Sequence, residues 1–318
     1  MTLPCSRSMP SRLPRRFLPG VAKILACARR YTIPLVVLEA GLVLAWSSGF
    51  IGMRFSIDHA PMALSLFWRC VLLTVLLLPW AGKAMRRARP GAVLTQAGIG
   101  LLAVAGYLAG VGRGIELGVP AGLAALVADL LPIGTALLGI LLLGQWPGRQ
   151  VWFGLIVGLC GVMLATHDAL AVGHAPLWSY LLPLLGMASL AIASLWIKRA
   201  GPGIELGLMP TLWIQSAVSL PVFAVWTLTT HGSLAPVASA GFVVSVLVTA
   251  LVSSLGGYGL YWLCLKRSSP TRVASVLYLS PGVTLMGGAL LFGEPLSWVM
   301  VAGMVVSVLG VTMVARAR

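Results

Sequence analysis

The stretch LSLFWRCVLLTVLLLPW, from Leu64 to Trp80, places one arginine, Arg69, inside an otherwise mostly apolar run. A guanidinium stays protonated at physiological pH, so Arg69 cannot avoid the cost of burial by losing its proton. The stretch is therefore either a surface helix with an exposed arginine or a membrane span that holds a charge. The rest of the chain decides between these alternatives.

Composition favours the membrane span. Of the 318 residues, 59% are apolar and 9% are charged, whereas soluble domains carry about 25% charged residues. Apolar runs of about 20 residues, long enough to cross a bilayer, recur along nearly the whole chain. The sequence predicts an all-α polytopic membrane protein with ten transmembrane helices. The expected spans are approximately 33–52, 61–81, 91–111, 120–143, 149–167, 176–197, 204–229, 240–263, 271–292 and 296–315.

The basic residues follow the pattern of topology signals. The formal net charge is +15, but seven of the 22 Lys and Arg residues lie in the first 30 positions and most others lie at the ends of apolar runs. No nucleic-acid partner is expected from this distribution. If the amino terminus is in the cytoplasm and the spans alternate, Arg54 and Arg113 are the only Lys or Arg residues in the predicted extracytoplasmic loops. We therefore expect both termini in the cytoplasm and a cytoplasmic (inner) membrane location.

Residues 1–32 form the predicted basic cytoplasmic tail. An Arg-rich organellar transit peptide and a start codon assigned too far upstream are alternatives for this segment.

The two halves of the chain repeat each other. With an offset of 149 residues, Pro132 matches Pro281, and Gly144 and Gly161 match Gly293 and Gly310. Each predicted repeat, 33–168 and 176–318, holds five spans, and because five is odd the second repeat enters the membrane inverted. Two inverted five-helix repeats form an architecture that secondary transporters use for alternating access.

Three stretches resemble the EamA-like family of the drug/metabolite transporter superfamily. They are LAWSSGFIGMRF (44–55), GYLAGVGRGIELGVPAGLAALVADLLPIGTALLGILLLGQ (106–145) and SSPTRVASVLYLSPGVTLMGGALLFGEPLSWVMVAGMVVSVLGVTMVA (268–315). The resemblance implies a ten-helix exporter or importer of small metabolites with a central cavity between the halves. One departure is Gly144-Gln145, where Gly293-Glu294 fits the family pattern.

Arg69 and Asp129 are the first candidate site residues. By helix rise, they lie about 12 Å and about 13 Å into the second and fourth predicted spans from the same membrane face. A buried acid and base at one depth predict a pair that faces the bundle interior or a wet cavity. The pair either fixes helix packing or touches substrate, and in the second case Asp129 is a candidate for proton coupling. Glu39 is expected to reach the headgroups or Arg29-Arg30 in a structural role.

Aromatic side chains are the second set of candidates. Trp and Tyr at span ends usually form interfacial belts, but several lie deeper, where a hydroxyl or indole N–H needs a partner. The candidates for lining a substrate cavity are Trp46, Tyr107, Tyr258, Tyr261 and Tyr278. Gly154, Gly158 and Gly161 have the spacing of a close helix contact, which predicts helix packing or, alternatively, a homodimer face.

These features favour a secondary transporter over an enzyme or a channel. The chain has no HExxH or GxSG motif, its four histidines lie in predicted extracytoplasmic loops, and no cofactor or metal site is expected. No ring of charges or filter-like segment suggests a channel. The expected function is export of small metabolites, such as amino acids or amphipathic compounds, across the lipid bilayer. A lipid flippase of the same superfamily is the first alternative, and a channel is the second.

Overall fold

The computed structural model describes residues 33–117, 119, 127–128, 130–165, 175–204, 206–292 and 297–317. These residues form helices joined by short loops, with no β-strand among them. The predicted tail, 1–32, and Asp129 lie outside the described residues. In chain order the helices are α1 (Leu35–Ile57), α2 (Met62–Met85), α3 (Pro90–Glu116), α4 (Leu131–Leu143), α5 (Arg149–Ala165), α6 (Leu181–Ala200), α7 (Leu208–His231), α8 (Ala240–Arg267), α9 (270–292) and α10 (Trp298–Arg316).

Among the described residues, six helices are long and apolar enough to cross a membrane: α1, α2, α3, α7, α8, and α6 with the 3₁₀ turn before it. Shorter apolar helices lie at Leu131–Leu143, Arg149–Leu164 and Val301–Arg316. The protein is therefore a multi-pass membrane protein. Some helices run past the apolar stretch that predicted them, because backbone hydrogen bonding continues into polar residues; α1 reaches Ile57 and α3 reaches Glu116.

Two helices are interrupted at related places by π-helical turns. The π segment of α3 is Leu101–Gly106, and that of α8 is Val248–Tyr258. Each segment ends within a Gly-Tyr pair, at the glycine of Gly106-Tyr107 in α3 and at the tyrosine of Gly257-Tyr258 in α8. π turns of this kind occur frequently at functional sites.

Helices from the two halves pack in reciprocal pairs. The principal pairs are α1 with α8, α3 with α6, α2 with α7, and α5 with α10. Exchanging each helix with the one five places along the chain leaves this set of pairs unchanged.

Glycines set the distance in the α5–α10 pair. A Cβ on Gly161 would lie 2.8 Å from the Gly303 carbonyl oxygen, and one on Gly310 would lie 2.7 Å from that of Gly154. Only a glycine fits against backbone at this separation, so these residues pack α5 on α10 within one chain. The same face is therefore not available as a homodimer surface.

Candidate substrate site

Arg69 lies deep in the bundle. It is the eighth residue of α2, and 2% of its surface is exposed. Its Nε donates a hydrogen bond to the Ser254 hydroxyl in α8, and that hydroxyl donates to the Thr249 carbonyl oxygen at 2.9 Å. Among the described residues, no carboxylate forms an ion pair with Arg69. Within the described part of the chain the charge thus meets a neutral hydroxyl, which leaves capacity for an anion.

The π segments bring α3 and α8 together beside Arg69. Ser254 and Thr249 belong to the π segment of α8, and the bond from the Ser254 hydroxyl to the Thr249 carbonyl spans five residues, the same spacing as the backbone bonds of a π helix. The Tyr258 hydroxyl at the end of that segment donates to the Ala103 carbonyl oxygen in the π segment of α3, at 2.7 Å. The irregular backbone of one half thus holds a side chain of the other.

Four aromatic side chains form a buried group, called here the aromatic cluster: Trp46, Tyr107, Tyr258 and Tyr261. The Trp46 ring lies 5.1 Å from Tyr258, 5.4 Å from Tyr261 and 5.9 Å from Tyr107, measured between ring centroids. The Tyr261 hydroxyl lies 2.7 Å from that of Ser194 in α6. The cluster presents ring faces and polar atoms together, a combination that suits an amphipathic ligand.

The cavities beside these residues are small. Trp46, Tyr107, Tyr258 and Arg69 line a space of about 20 Å³, and Arg69 with Ser254 lines a second one of about 10 Å³. A single water needs roughly 10–15 Å³ by a comparable measure, so these spaces hold about one water each. The described residues therefore pack closely around Arg69 and Trp46, and these two spaces are smaller than the central cavity that the family resemblance implies.

A larger cavity opens at the end of the bundle where α6 and α8 end and α7 begins. This vestibule, of about 290 Å³, is lined by Gln96, Lys198, Leu208, Thr211, Trp262 and Lys266, among others. Its inner limit is a set of hydrogen-bonded side chains, called here the polar layer: Gln96, Gln215 and Trp262. Gln215 accepts a hydrogen bond from Trp262 Nε1 at 3.0 Å and donates one to Gln96 Oε1 at 3.3 Å.

Comparison with known proteins assigns this arrangement to a family. The family model described as "EamA-like transporter family" matches residues 34–166 and 177–316. The chain belongs to the EamA-like transporter family. The relatives of this chain that belong to the family are transporters, not enzymes.

Curated relatives of this EamA-like protein cover most of its length. A "Probable amino-acid metabolite efflux pump" of Salmonella typhimurium is 27% identical over 85% of this chain and 90% of the relative. The "Uncharacterized inner membrane transporter YedA" of Escherichia coli is 26% identical over 89% of this chain and 92% of the relative. A "Probable terminal-alkyne amino-acid exporter" of Streptantibioticus cattleyicolor is 25% identical over 86% and 91% of the two chains.

A solved crystal structure also matches this EamA-like protein. Its TM-score is 0.67 at 15% identity, covering 88% of this chain and 96% of that one. At this identity the match shows the fold alone.

The EamA-like protein brings together most of the residues that the sequence singled out. Arg69, Trp46, Tyr107 and Tyr258 line one space, and Tyr261 contacts Trp46. Tyr278 lies elsewhere, in the packing of α9 on α5 and α10, with its ring 2.6 Å from a Cβ built on Gly158. Asp129 lies outside the described residues, so its pairing with Arg69 stays a prediction.

Sequence reasoning missed Ser254 and Gln215, which line the small cavity of Arg69, and Gln96, which is hydrogen-bonded to Gln215. The two amides carried a usable signal, because glutamine inside an apolar span requires a buried hydrogen-bond partner. Ser254 carried none, since serine is common in membrane helices and only the π backbone directs its hydroxyl toward Arg69.

Glu39 forms an ion pair that the sequence did not suggest. Its Oε1 lies 3.2 Å from Nε of Arg272 in α9, and Arg272 Nη1 donates to the Ala315 carbonyl oxygen at 3.3 Å. Glu39 is 7% exposed and therefore buried in the bundle, whereas Arg29-Arg30 lie outside the described residues, so a contact with them stays a prediction. The pair ties the start of α1 to α9 and to the end of α10, which is a structural role.

Proposed function

We propose that this protein is a secondary transporter that exports small amino-acid-type metabolites across the cytoplasmic membrane by alternating access. The observation that carries the proposal is Arg69, a buried guanidinium beside the aromatic cluster with a neutral described partner. The carboxylate of an amino acid supplies the missing anion, and the rings of Trp46 and Tyr258 pack against its carbon skeleton. Relatives named as amino-acid metabolite efflux pumps and exporters support this class of substrate.

Alternating access requires two inverted halves, and we propose ten spans arranged as five plus five. The reciprocal helix pairs and the π segments at related positions in α3 and α8 support this arrangement. So does the match of the family model to two consecutive stretches of the chain. The positive charges at the predicted cytoplasmic loops support placing both termini inside.

Asp129 is the proposed second charge of the site. Its support is the sequence argument that places it at the depth of Arg69. A zwitterion offers a carboxylate to Arg69 and an ammonium group to Asp129, and protonation of Asp129 would release the ammonium group. Export driven by a proton gradient follows from that exchange.

Transport by reconstituted protein tests the role of Arg69. In proteoliposomes supplied with a panel of radiolabelled amino acids, with and without a proton gradient, Arg69→Gln should reduce uptake about tenfold or more. That factor is what losing a charge-assisted hydrogen bond worth about 1.5–3 kcal/mol implies. Arg69→Lys should retain part of the activity because the charge remains.

Arg113→Gln is the matched control, since Arg113 is partly exposed and pairs with Glu116 at 2.6 Å. We expect it to transport at the parent rate. An Arg69→Gln protein that is folded and transports as fast as the parent would show that the substrate anion is bound elsewhere.

A further inference from the structure

The polar layer separates two cavities that lie along the same helices. On α7, Leu208 and Thr211 line the vestibule, whereas Leu212 and Gln215 line the small cavity that contains Arg69. One helical turn, about 5.4 Å of axis, separates these two sets of positions. The barrier between the vestibule and Arg69 is therefore about one layer of side chains thick.

The same division recurs on α8. Trp262 and Lys266 line the vestibule, and Ser254 and Tyr258 line the cavity of Arg69. Gln215 is the side chain to which both Trp262 and Gln96 are hydrogen-bonded, so it joins α7 to α8 and to α3 across the passage. Gln215 therefore lines the cavity of Arg69 and is bonded to two side chains that line the vestibule.

Gln215 is also the positional counterpart of Arg69. Each is the eighth residue of a 24-residue helix, α7 for Gln215 and α2 for Arg69, and these two helices pack against each other. The backbone of α3 closes on Gln215, because a Cβ on Gly100 would lie 2.5 Å from the Gln215 Cα. One half of the bundle thus offers a cation at this position and the other half offers a neutral amide.

The neutrality of the polar layer makes it suitable for opening. When its three side chains separate, they lose hydrogen bonds to each other and gain hydrogen bonds to water. The net free-energy cost of that replacement is small. Separating an ion pair such as the partly buried Glu39–Arg272 costs more, because each charge then loses its partner.

We propose that the vestibule is one end of the transport path and that Gln215 is the side chain that closes the path to Arg69. The proposal rests on the transport function proposed above. Gln215 acts by holding Gln96 and Trp262 in place, so its removal should open the way to Arg69 whether or not a substrate is present.

Cys70 provides a reporter on the far side of the layer. It is buried next to Arg69 and lines the same small cavity. In a protein whose other cysteines are replaced (Cys5→Ser, Cys27→Ser, Cys160→Ser and Cys264→Ala), Cys70 is the sole thiol. Its rate of reaction with a small charged methanethiosulfonate, applied to one side of membrane vesicles at a time, measures access to the cavity.

We expect Gln215→Ala to raise the labelling rate of Cys70 about tenfold from the vestibule side, a change equivalent to about 1.4 kcal/mol. Gln96→Ala keeps the Trp262–Gln215 hydrogen bond, so it should raise the Cys70 labelling rate less. It replaces Gln215→Ala as the test variant if Gln215→Ala does not fold. A sole cysteine made by Gly203→Cys, in the exposed turn beside the vestibule, identifies the vesicle side on which the vestibule opens.

Thr227→Ala is the matched control. Thr227 is buried on the same helix, and its hydroxyl donates to the Phe223 carbonyl oxygen at 2.7 Å, away from the polar layer. Its Cys70 rate should equal that of the parent. The proposal is overturned if both glutamine variants label at the parent rate, if labelling rises only from the opposite side, or if the parent Cys70 already reacts as fast as the Gly203→Cys thiol. No substrate enters this measurement, so its outcome is independent of the transport assay on Arg69.

Discussion

Arg69 combines a high cost of burial with a partner that is neutral in the part of the chain that the structure describes. An arginine at the centre of a membrane helix costs about 2.5–3.5 kcal/mol on insertion scales, and one serine hydroxyl offsets little of that. A residue kept at such a cost needs an anion, and the proposed sources are the substrate and Asp129. These two sources predict different responses to mutation.

A double substitution distinguishes them. If Asp129 offsets the charge of Arg69, Arg69→Leu strands a carboxylate and Asp129→Leu strands a guanidinium, so each should reduce the yield of folded protein. Arg69→Leu with Asp129→Leu should then recover folded protein better than either single change, as measured by size-exclusion chromatography in detergent. If the two single defects simply add, the residues are not paired, and the anion at Arg69 is the substrate.

At the scale of the elements, backbone geometry decides where side chains point. The π segments of α3 and α8 add a residue to the helical ladder, and they turn Ser254 toward Arg69 and Tyr258 toward Ala103. Apolar periodicity does not reveal a π turn, because each residue in it is an ordinary apolar or small one. The sequence could therefore predict that α3 and α8 span the membrane, but not which of their faces meets Arg69.

The α5–α10 contact is the element most directly predictable from sequence. The spacing of Gly154, Gly158 and Gly161 predicted a close helix contact, and the structure provides it against α10 within the chain. What the sequence left open was the identity of the second helix, because a small-residue stripe fits any helix of similar shape.

Gly310→Ala should destabilise this contact. The new methyl group would lie 2.7 Å from the Gly154 carbonyl oxygen and closer still to Gly158, so the two backbones must separate. Overpacking of this kind costs about 1–3 kcal/mol, and thermal unfolding in detergent should show a lower midpoint. Gly82→Ala in α2, where a Cβ meets nothing within 4 Å, should leave the midpoint unchanged or raise it. Equal midpoints for Gly310→Ala and the parent would mean that α5 and α10 separate at little cost.

At the scale of the whole molecule, the membrane topology carries the inverted-repeat argument. Cysteines placed singly at His174 and Ser233 should react with an impermeant reagent applied outside intact cells, and a cysteine at Arg87 should not. The reason is the concentration of Lys and Arg in the loops that we assign to the cytoplasm. Labelling at all three positions would remove the basis for two inverted halves.

Composition was enough to predict an all-α polytopic membrane protein, because the bilayer requires long apolar helices, and the resemblance of three stretches pointed to the EamA-like family. The positions of polar groups in the apolar spans indicated Trp46, Tyr107, Tyr258 and Arg69 as candidates, since an aromatic hydroxyl, an indole N–H or a charge there needs a partner. The same positions did not distinguish Tyr278 from the cavity candidates, because depth in the membrane does not determine which neighbouring helix a side chain faces.

The vestibule has a counterpart elsewhere in the bundle. Its lining residues belong to α3, α6, α7 and α8. The helices five places away in the chain, in the other half, are α8, α1, α2 and α3. Those four helices line the space of about 20 Å³ beside Trp46 and Arg69, against about 290 Å³ for the vestibule. If the halves exchange conformations, the small space widens toward the opposite membrane face as the vestibule narrows. The two states would then use equivalent helix contacts and differ little in free energy, so a modest difference in ligand affinity would be enough to bias one against the other.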